Sequence, residues 1–305
     1  MSSLGAAQTK TVALTIDDLP YATMKGNPED VAIARGDIAK ILAVIKVHKA
    51  PMVAFVNEAK LQVPGQIDAR VSLLDQWLDG GVVLGNHTYS HMNINKTPLP
   101  EFEAEVIRGE VVTRRLMKAR GLELKYFRHP FLNTGATVED KNTFEAFLKR
   151  HGYIVAPVTV ENHDWAFNTA YLYTLDQGDM VTANKILDAY VAYQDVQIDY
   201  YEAMSQKLFG RNIAHVMLLH SDRLNALRLD DILKKFEARG YKFVMLEEAL
   251  KDPAYQTPDN YAGPYGYPWQ HRWAITLGKD ADFKGAPDPP KWVLEIYNKA
   301  TAAKY

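Results

Sequence analysis

Residues 12–18 have the sequence Val-Ala-Leu-Thr-Ile-Asp-Asp, an apolar run that ends in two adjacent carboxylates. A short apolar run rich in β-branched residues is typical of a buried strand. Two neighbouring carboxylates at the end of such a strand are costly to desolvate unless a cation or a polar partner holds them. Asp17 and Asp18 therefore indicate a place where the fold brings other polar groups together.

Strand-like and helix-like stretches alternate on the C-terminal side of this run. A βα repeat predicts a parallel sheet, and about seven units favour a barrel or near-barrel over an open sheet. The strands are predicted at residues 12–16, 52–56, 82–84, 125–128, 153–158, 213–219 and 242–245, and the helices at residues 29–48, 66–78, 101–120, 138–151, 181–208, 224–239 and 291–303.

The composition excludes several classes of protein. The chain has 305 residues, of which 47% are hydrophobic, so it is long enough to bury a large core. Its net charge is -2 and it has no run of like charges, so the sequence indicates neither a nucleic-acid partner nor a membrane surface. The absence of cysteine excludes disulfides, thiolate catalysis and Cys-ligated zinc. No apolar stretch reaches the roughly 18 residues that span a bilayer.

Polar residues follow five of the predicted strands, and the carboxyl ends of parallel strands meet on one face of a barrel. Two histidines four residues apart share one face if their segment is helical, so both imidazoles can bind one metal. With one carboxylate, they leave metal positions open for water and substrate. Each residue alone has an ordinary structural explanation, but their joint placement favours an active site. The residues are Asp17, Asp18, His87, His91, Arg128, Asp164, Trp165 and His220.

Five motifs in this order resemble those of the polysaccharide deacetylase family (NodB homology domain, carbohydrate esterase family four). They are Thr-Ile-Asp-Asp at 15–18, His-Thr-Tyr-Ser-His at 87–91, Arg-His-Pro-Phe at 128–131, Glu-Asn-His-Asp-Trp at 161–165 and Leu-Leu-His at 218–220. Ile16 and Glu161 differ from the usual Phe and Asp. Neither change removes a catalytic group, but Glu161 leaves the polar network around it open.

The resemblance implies a distorted (β/α) barrel of about seven parallel strands and assigns a metal site. Asp18, His87 and His91 would hold one divalent metal, usually Zn²⁺ and in some members Co²⁺ or Ni²⁺. Asp17 would be the general base, and Arg128 would orient and stabilise it.

The resemblance also implies roles for the other motif residues. His220 would be the general acid, with Asp164 tuning it. The backbone N–H of Phe131 would help to hold the oxyanion, while Leu218 and Trp165 would line the pocket for the acetyl methyl group.

The resemblance covers roughly residues 10–250, which we expect to form the catalytic domain. Residues 251–305 would form a C-terminal extension packed on it, irregular over 252–290 because this stretch is dense in Pro, Gly and Tyr. We expect its aromatic residues, Trp269 and Trp273 among them, to shape the mouth of the site. Residues 1–8 are compatible with the trimmed end of a signal peptide, so we expect a secreted or periplasmic protein, with a cytoplasmic location as the alternative.

The leading function is a metal-dependent hydrolase that removes N-acetyl groups from an amino-sugar glycan such as chitin oligomers or peptidoglycan. On the same fold, the alternatives are an O-acetyl esterase acting on xylan and a hydrolase of a cyclic amide or ureide. A non-haem iron oxygenase also uses two histidines and a carboxylate, but it does not need an acid–base pair. A sugar-binding protein with a dead site is disfavoured because no catalytic position is substituted. The sequence leaves the oligomeric state open.

Overall fold

A parallel sheet of seven strands forms the centre of the molecule in the computed structural model, which describes residues 9–27, 29–280 and 286–303. The strands are β1 (Lys10–Leu19), β2 (Met52–Val56), β3 (Val83–Asn86), β4 (Tyr126–Phe127), β5 (Ile154–Val155), β6 (His215–His220) and β7 (Tyr241–Phe243). The helices are α1 (Asp30–Val47), α2 (Ile67–Asp79), α3 (Leu99–Arg108), α4 (Val111–Lys118), α5 (Val138–Arg150), α6 (Asp164–Asp176), α7 (Met180–Phe209), α8 (Arg223–Ala238), α9 (Leu246–Ala249), α10 (Trp269–Thr276) and α11 (Lys291–Ala302).

The sheet curls, and one isolated bridge beyond β5 links its two sides. The strand order is β5-β4-β3-β2-β1-β6, and β7 pairs with the first residues of β1. Beyond β5 the chain crosses to β6, where Val160 forms a parallel bridge with Met217 and accepts a 3.0 Å hydrogen bond from the Leu218 N–H. The predicted α/β fold, a distorted (β/α) barrel with about seven parallel strands, is confirmed.

The central strands are buried on both faces, because each face is covered either by helices or by the interior of the barrel. All five residues of β2 are buried, as are six consecutive residues of β1 from Val12 to Asp17. Continuous apolar runs of this kind are typical of parallel strands covered on both sides. The carboxylate of Asp17 is therefore placed in a buried position at the end of a rigid strand.

The helix predicted over residues 101–120 is two helices, and the prediction was wrong at the break. A Cβ on Gly109 would lie 2.6 Å from the backbone carbon of Thr88, so the loop after β3 passes directly against this point. The Glu58 carboxylate then accepts hydrogen bonds from the backbone N–H groups of Val112 and Thr113, at 3.0 and 2.7 Å, and so caps the start of α4. Both contacts are long-range, so local helical periodicity did not predict the break.

Helix α6 was not predicted from the sequence. Its buried residues occur all around the helix and include the polar residues Asp164, Asn168 and Thr174. A helix packed against α7, α8 and α11 on several sides has no single apolar face, which removes the periodic signal.

The C-terminal segment, defined here as residues 252–280 and 286–303, lies against the barrel. It contains α10, so the irregular structure expected over 252–290 is wrong at 269–276. The buried Arg272 guanidinium pairs with Asp259 at 2.7 Å and donates to the Thr134 hydroxyl at 2.5 Å. Lys141 of α5 lies 3.0 Å from the same Asp259 carboxylate. In the described part of the chain, no helix is both long and apolar enough to cross a membrane.

Candidate active site

A cavity of about 950 Å³ lies at the carboxyl ends of the strands. Arg128 and Asp164 are buried behind its wall and contact residues that line it. The structure thus brings all ten residues of the predicted site into one region. The predicted residues that line the cavity are Asp17, Asp18, His87, His91, Phe131, Trp165, Leu218 and His220.

Two consecutive aspartates face the same cavity, which a regular strand does not allow because its successive side chains point to opposite faces. Asp18 has a φ of 70°, and the pairing of β1 with β2 shifts register between Ile16 and Leu19. This left-handed turn is uncommon for a non-glycine residue. It explains how Asp17 and Asp18 both reach the cavity from the end of one strand.

His87 and His91 meet through a loop, not through a helix as the sequence allowed. Thr88 and His91 have φ values of 65° and 59°, so the segment is not helical. The Asn57 side-chain amide donates to the carbonyl oxygen of His87 at 2.6 Å and fixes the loop from β2. The His91 and His87 Nε2 atoms lie 3.6 and 3.9 Å from Asp18 Oδ1.

These three residues fit one divalent cation. Their ligand atoms all lie within 4.8 Å of one another, and a tetrahedral site with bonds of about 2.0–2.1 Å separates its ligand atoms by about 3.4 Å. Among the described residues, the buried Asp18 Oδ1 has no hydrogen-bond partner. The His87 Nδ1 atom contacts the Arg128 carbonyl oxygen at 2.8 Å, which leaves Nε2 between the two aspartates, 3.7 Å from Asp17 Oδ2 and 3.9 Å from Asp18 Oδ1.

The ionisation states of this cluster also suit a cation. Burial lowers the pKa of both His87 and His91, so both imidazoles are neutral ligands at neutral pH. Burial alone would raise the pKa of Asp18, but the nearby Lys60 ammonium is the largest of the charges that hold it well below its usual range. Two neutral imidazoles and one carboxylate are a donor set that binds divalent metals.

Lys60 belongs to the site and was not predicted from the sequence. Its ammonium donates to the Asp18 carbonyl oxygen at 2.9 Å and lies 3.6 Å from Asp18 Oδ1. The residue follows β2, whose carboxyl end meets the same face as the ends of β1 and β3. The strand-end argument, extended to β2, would have predicted both Asn57 and Lys60.

Asp17 lies beside this cluster and is held by Arg128. The Arg128 Nη1 atom is 3.5 Å from Asp17 Oδ2, while its Nη2 donates to the Thr15 hydroxyl at 2.8 Å. The guanidinium also packs 4.8 Å from the centre of the Phe55 ring. Burial raises the pKa of Asp17 to about 6, and Arg128 opposes a larger rise. A carboxylate with a pKa near neutrality is suited to accept a proton.

His220 pairs with Asp164 next to Asp17. Asp17 and His220 are direct register partners on β1 and β6. The His220 Nδ1 contacts Asp164 Oδ1 at 2.6 Å, and Asp164 Oδ2 accepts hydrogen bonds from the His220 backbone N–H and from Asn225, each at 2.7 Å. Burial opposes protonation of His220, but the Asp164 carboxylate raises its pKa to about 10. The imidazole is therefore a proton donor at neutral pH.

The loops after β4 and β5 complete this side of the cavity. Phe131 has a φ of 56°, and its ring, 55% exposed, lies 4.5 Å from the His91 ring. Glu161, one of the two residues that differ from the family pattern, accepts hydrogen bonds from the His163 backbone N–H at 2.8 Å and from the Trp165 indole at 3.3 Å. Glu161 thus organises its own loop and orients Trp165.

The C-terminal segment supplies cavity residues that the sequence did not single out correctly. Trp269 and Trp273, expected at the mouth of the site, are buried in a core cluster with Leu218. The segment lines the cavity instead through residues that include Tyr267, His271 and Tyr297. In the sequence, the spacing of His271 from Tyr267 does not indicate whether these rings are buried in the core or line the cavity.

Residues 5–153 match the family model described as polysaccharide deacetylase. Over these residues the chain is similar to the polysaccharide deacetylase family. Over 154 residues, 50% of this chain, it is 27% identical to a peptidoglycan-N-acetylglucosamine deacetylase of Bacillus cereus. The match covers 46% of that protein, so the chain spans about half the length of this curated relative.

Solved structures agree on the fold. A chitin deacetylase of the fungal pathogen Colletotrichum lindemuthianum superposes with a TM-score of 0.54 at 17% identity, over 81% of this chain and 91% of that one. A family 4 carbohydrate esterase pseudoenzyme of Bacillus anthracis superposes with a TM-score of 0.52 at 16% identity, over 80% of this chain and 66% of that one. Because the same fold occurs in a pseudoenzyme, activity in this family has to be argued from the site residues.

Proposed function

We propose that this chain is a metal-dependent hydrolase that removes N-acetyl groups from an amino-sugar glycan. One observation carries the proposal: Asp17, beside the cluster of Asp18, His87 and His91, is the register partner of His220 in the same cavity. A base and a protonated acid next to a candidate metal site are the groups that amide hydrolysis requires. Two relatives are named as deacetylases of peptidoglycan N-acetylglucosamine and of chitin, and these names support this substrate class.

The proposed reaction begins with a water molecule next to Asp17. When bound at Asp18, His87 and His91, a divalent cation supplies a Lewis acid that acidifies water and polarises a carbonyl oxygen. Asp17 accepts the proton of the attacking water, because burial sets its pKa near 6. Arg128 holds the Asp17 carboxylate in place throughout.

The leaving amine nitrogen takes its proton from His220. Asp164 keeps this imidazole protonated and oriented, since it contacts both the ring Nδ1 and the backbone N–H of His220. In this proposal the Phe131 backbone N–H donates to the developing oxyanion, and Leu218 and Trp165 receive the acetyl methyl group.

The state of His220 favours amide hydrolysis over ester hydrolysis and over oxygen activation on iron, and the names of the relatives favour an acetylated amino sugar over a cyclic amide or ureide. An amine must be protonated as it leaves, whereas an ester's alcohol needs this less, and oxygen activation on iron does not need the pair of Asp17 and His220. A glycan such as peptidoglycan lies outside the cytoplasm, so we further propose a secreted or periplasmic protein. We propose zinc as the metal, with cobalt or nickel as substitutes, because two imidazoles and a carboxylate suit all three.

The test combines metal analysis with acetate release. Protein purified without chelator is analysed for metal and then assayed on chitin oligomers, peptidoglycan, acetylated xylan and small amides. We expect one divalent metal per chain, release of acetate from amino-sugar substrates, and loss of both on changing His87→Ala or His91→Ala. His151→Ala, at an exposed histidine after α5, serves as the control. Full metal content and activity in both site variants would contradict the proposal.

A further inference from the structure

We propose that the C-terminal segment closes one end of the cavity and restricts the substrate to short acetylated amino-sugar oligomers or to the end of a longer chain. This inference rests on the proposed function and adds the length of substrate that the site accepts. It concerns residues outside the five motifs, and the segment that contains them lies beyond the residues matched by the family model.

The segment meets the barrel at Phe131 and Trp165, two of the three residues proposed to lie nearest the acetyl group. A Cβ on Gly266 would lie 1.7 Å from the Phe131 carbonyl oxygen, so the two backbones are in direct contact. At the other end, the Tyr297 ring packs edge-on against Trp165, with 5.2 Å between ring centres. Between these contacts, Tyr267, His271 and their neighbours line the cavity. The segment therefore forms a wall from the loop after β4 to α6.

The wall is fixed to the barrel by buried polar contacts. Arg272, which is fully buried, joins Asp259 of the segment to Thr134 of the barrel. The Gln270 side-chain amide donates to the carbonyl oxygens of Thr159 and Tyr201, at 3.1 and 3.2 Å. Charged and polar groups that are buried with their partners do not separate at low cost. A wall held in this way is a permanent boundary of the site.

The face of the wall suits a sugar ring. The His271 ring lies 6.1 Å from Tyr267 at an angle of 30°, and 5.8 Å from Tyr200 at 26°. The Tyr200 hydroxyl contacts His271 Nε2 at 3.0 Å. Burial lowers the pKa of His271 to about 4, so the imidazole is a neutral ring at neutral pH. Aromatic surface with few polar atoms is the usual lining of a pocket for a small molecule.

The size of the cavity supports a short substrate. A volume of about 950 Å³ lies at the upper end of the range for pockets that enclose a drug-sized ligand. A ligand of that size corresponds to roughly one or two sugar rings. A polymer bound at an internal residue needs an open path on both sides of the reacting ring, and the wall occupies one of them.

The experiment uses the metal-loaded full chain and N-acetylglucosamine oligomers of one to six rings. Acetate release gives kcat/KM for each length, and mass spectrometry of the products locates the deacetylated ring. We expect kcat/KM to stop rising at about two rings, and only terminal rings to lose acetate. Tyr267→Ala and Tyr297→Ala should open the wall, with roughly tenfold faster reaction at internal rings relative to terminal ones. Trp292→Ala, at an exposed residue of α11 outside the cavity lining, should behave as the unmodified chain.

Two results of this experiment would contradict the proposed limit on substrate length. Efficient deacetylation of internal rings by the unmodified chain, with kcat/KM rising up to six rings, would show that the wall does not limit substrate length while leaving the proposed function intact. Retention of terminal selectivity in both tyrosine variants, with folding unchanged by circular dichroism, would show that the limit lies elsewhere. Absence of acetate from every oligomer would instead contradict the proposed function itself.

Discussion

Around Asp17 and Asp18, in the cavity wall formed by strand ends, polar groups lie 3.5–3.9 Å from one another, whereas the C-terminal segment pairs its buried charges closely. The close pair at the strand ends is His220 with Asp164, at 2.6 Å. Arg128 and Asp17 are 3.5 Å apart, and His87 is 3.9 Å from Asp18. Arg272, by contrast, lies 2.7 Å from Asp259. Closely paired buried charges are satisfied within the fold, and loosely paired ones retain capacity for a further ligand.

Backbone strain shows the same difference. In the described part of the C-terminal segment, Gly278 is the one residue with a positive φ, and glycine adopts this conformation at no steric cost. Around the strand-end wall, Asp18, Thr88, His91 and Phe131 are non-glycine residues with φ between 56° and 70°. Such conformations persist only where the surrounding fold over-determines them, and they cluster at functional sites. We infer that residues of the strand-end wall perform the reaction, and that residues of the C-terminal wall determine the shape of the cavity.

The largest effect is expected from Asp17→Asn. Loss of the base should lower turnover by about 10²–10⁴-fold while metal stays bound. Stability at neutral pH should not fall, because the folded-state pKa of Asp17 is raised to about 6 by burial. A carboxyl whose pKa is higher in the folded state opposes folding at any pH where it is ionised in the unfolded chain. Measurements of turnover, of bound metal and of unfolding in urea test the expected loss of activity, the retention of metal and the unchanged stability.

Asp259→Asn is the matched change in the C-terminal wall and should lower stability, because it leaves Arg272 with a weaker partner in a buried site.

If Asp17→Asn loses metal together with activity, Asp17 is a metal ligand and the roles of Asp17 and Asp18 are exchanged.

The second effect concerns two tryptophans. Trp273 is 1% exposed and packs against Phe209 and Tyr255, so Trp273→Ala should lower the free energy of unfolding by about 3–5 kcal/mol. Substrate preference should not change. Trp165, 41% exposed in the cavity wall, should show the opposite behaviour when changed to Ala: an altered KM and little change in unfolding. A shifted substrate preference in Trp273→Ala, measured well below its Tm, would contradict this division.

The strand-end wall was largely predictable from the sequence, because the position of a residue after a buried parallel strand already fixes which face it joins. Asp17, His87 and His220 were found in this way. The conformation of the loops was not predictable: His87 and His91 meet through left-handed residues and not along a helix. Sequence spacing reports which residues are near in the chain, whereas Thr88 also contacts Asn57 and Gly109, which are distant in the chain.

The C-terminal wall was not predictable to the same degree. The composition of residues 252–290 indicated aromatic packing, but nothing in it distinguished Tyr267, which lines the cavity, from Trp273, which is buried. That choice depends on where α10 lies on the barrel, and its position is fixed by Arg272, Gln270 and their distant partners. Long-range polar pairing leaves no periodic signal in one sequence.

The third effect is a change in pH dependence from Asp164→Asn. In the unmodified chain His220 stays protonated up to a pH of about 10, because Asp164 raises its pKa against the effect of burial. Without that carboxylate, burial lowers the pKa of His220 and the acid loses its proton as the pH rises through neutrality. Each pH unit above the pKa of an acid reduces its protonated form about tenfold. The basic limb of kcat/KM should therefore move to lower pH, with at least roughly tenfold less activity at a pH of about 8.

Measurement of kcat/KM across this range checks the shift, and Asp164→Glu, which keeps the charge, should restore part of the basic limb. An unchanged basic limb in Asp164→Asn would show that His220 is not the group whose proton the reaction uses.

The smallest expected effect comes from two tyrosines on α7, one of which contacts groups that hold the proton donor while the other contacts the C-terminal segment. Tyr190 and Tyr193 lie three residues apart on α7, and both are buried. The Tyr190 hydroxyl donates to Asn225 at 2.7 Å, and Asn225 holds Asp164. The Tyr193 hydroxyl contacts His163 at 3.0 Å and the carbonyl oxygen of Pro287, which belongs to the C-terminal segment.

Removing either hydroxyl by Tyr→Phe should cost about 1–3 kcal/mol of stability, because each hydroxyl has more than one buried partner that would be left unpaired. The kinetic results should differ. Tyr190→Phe acts through Asn225 on the proton donor, so kcat should fall by about two- to fivefold at unchanged KM. Tyr193→Phe acts on the C-terminal wall, so KM for oligomers should rise while kcat for a small activated acetyl ester stays constant. If both variants showed the same changes in kcat and KM, α7 would couple the two walls. The rate of reaction and the length of substrate would then not be determined by separate parts of the cavity.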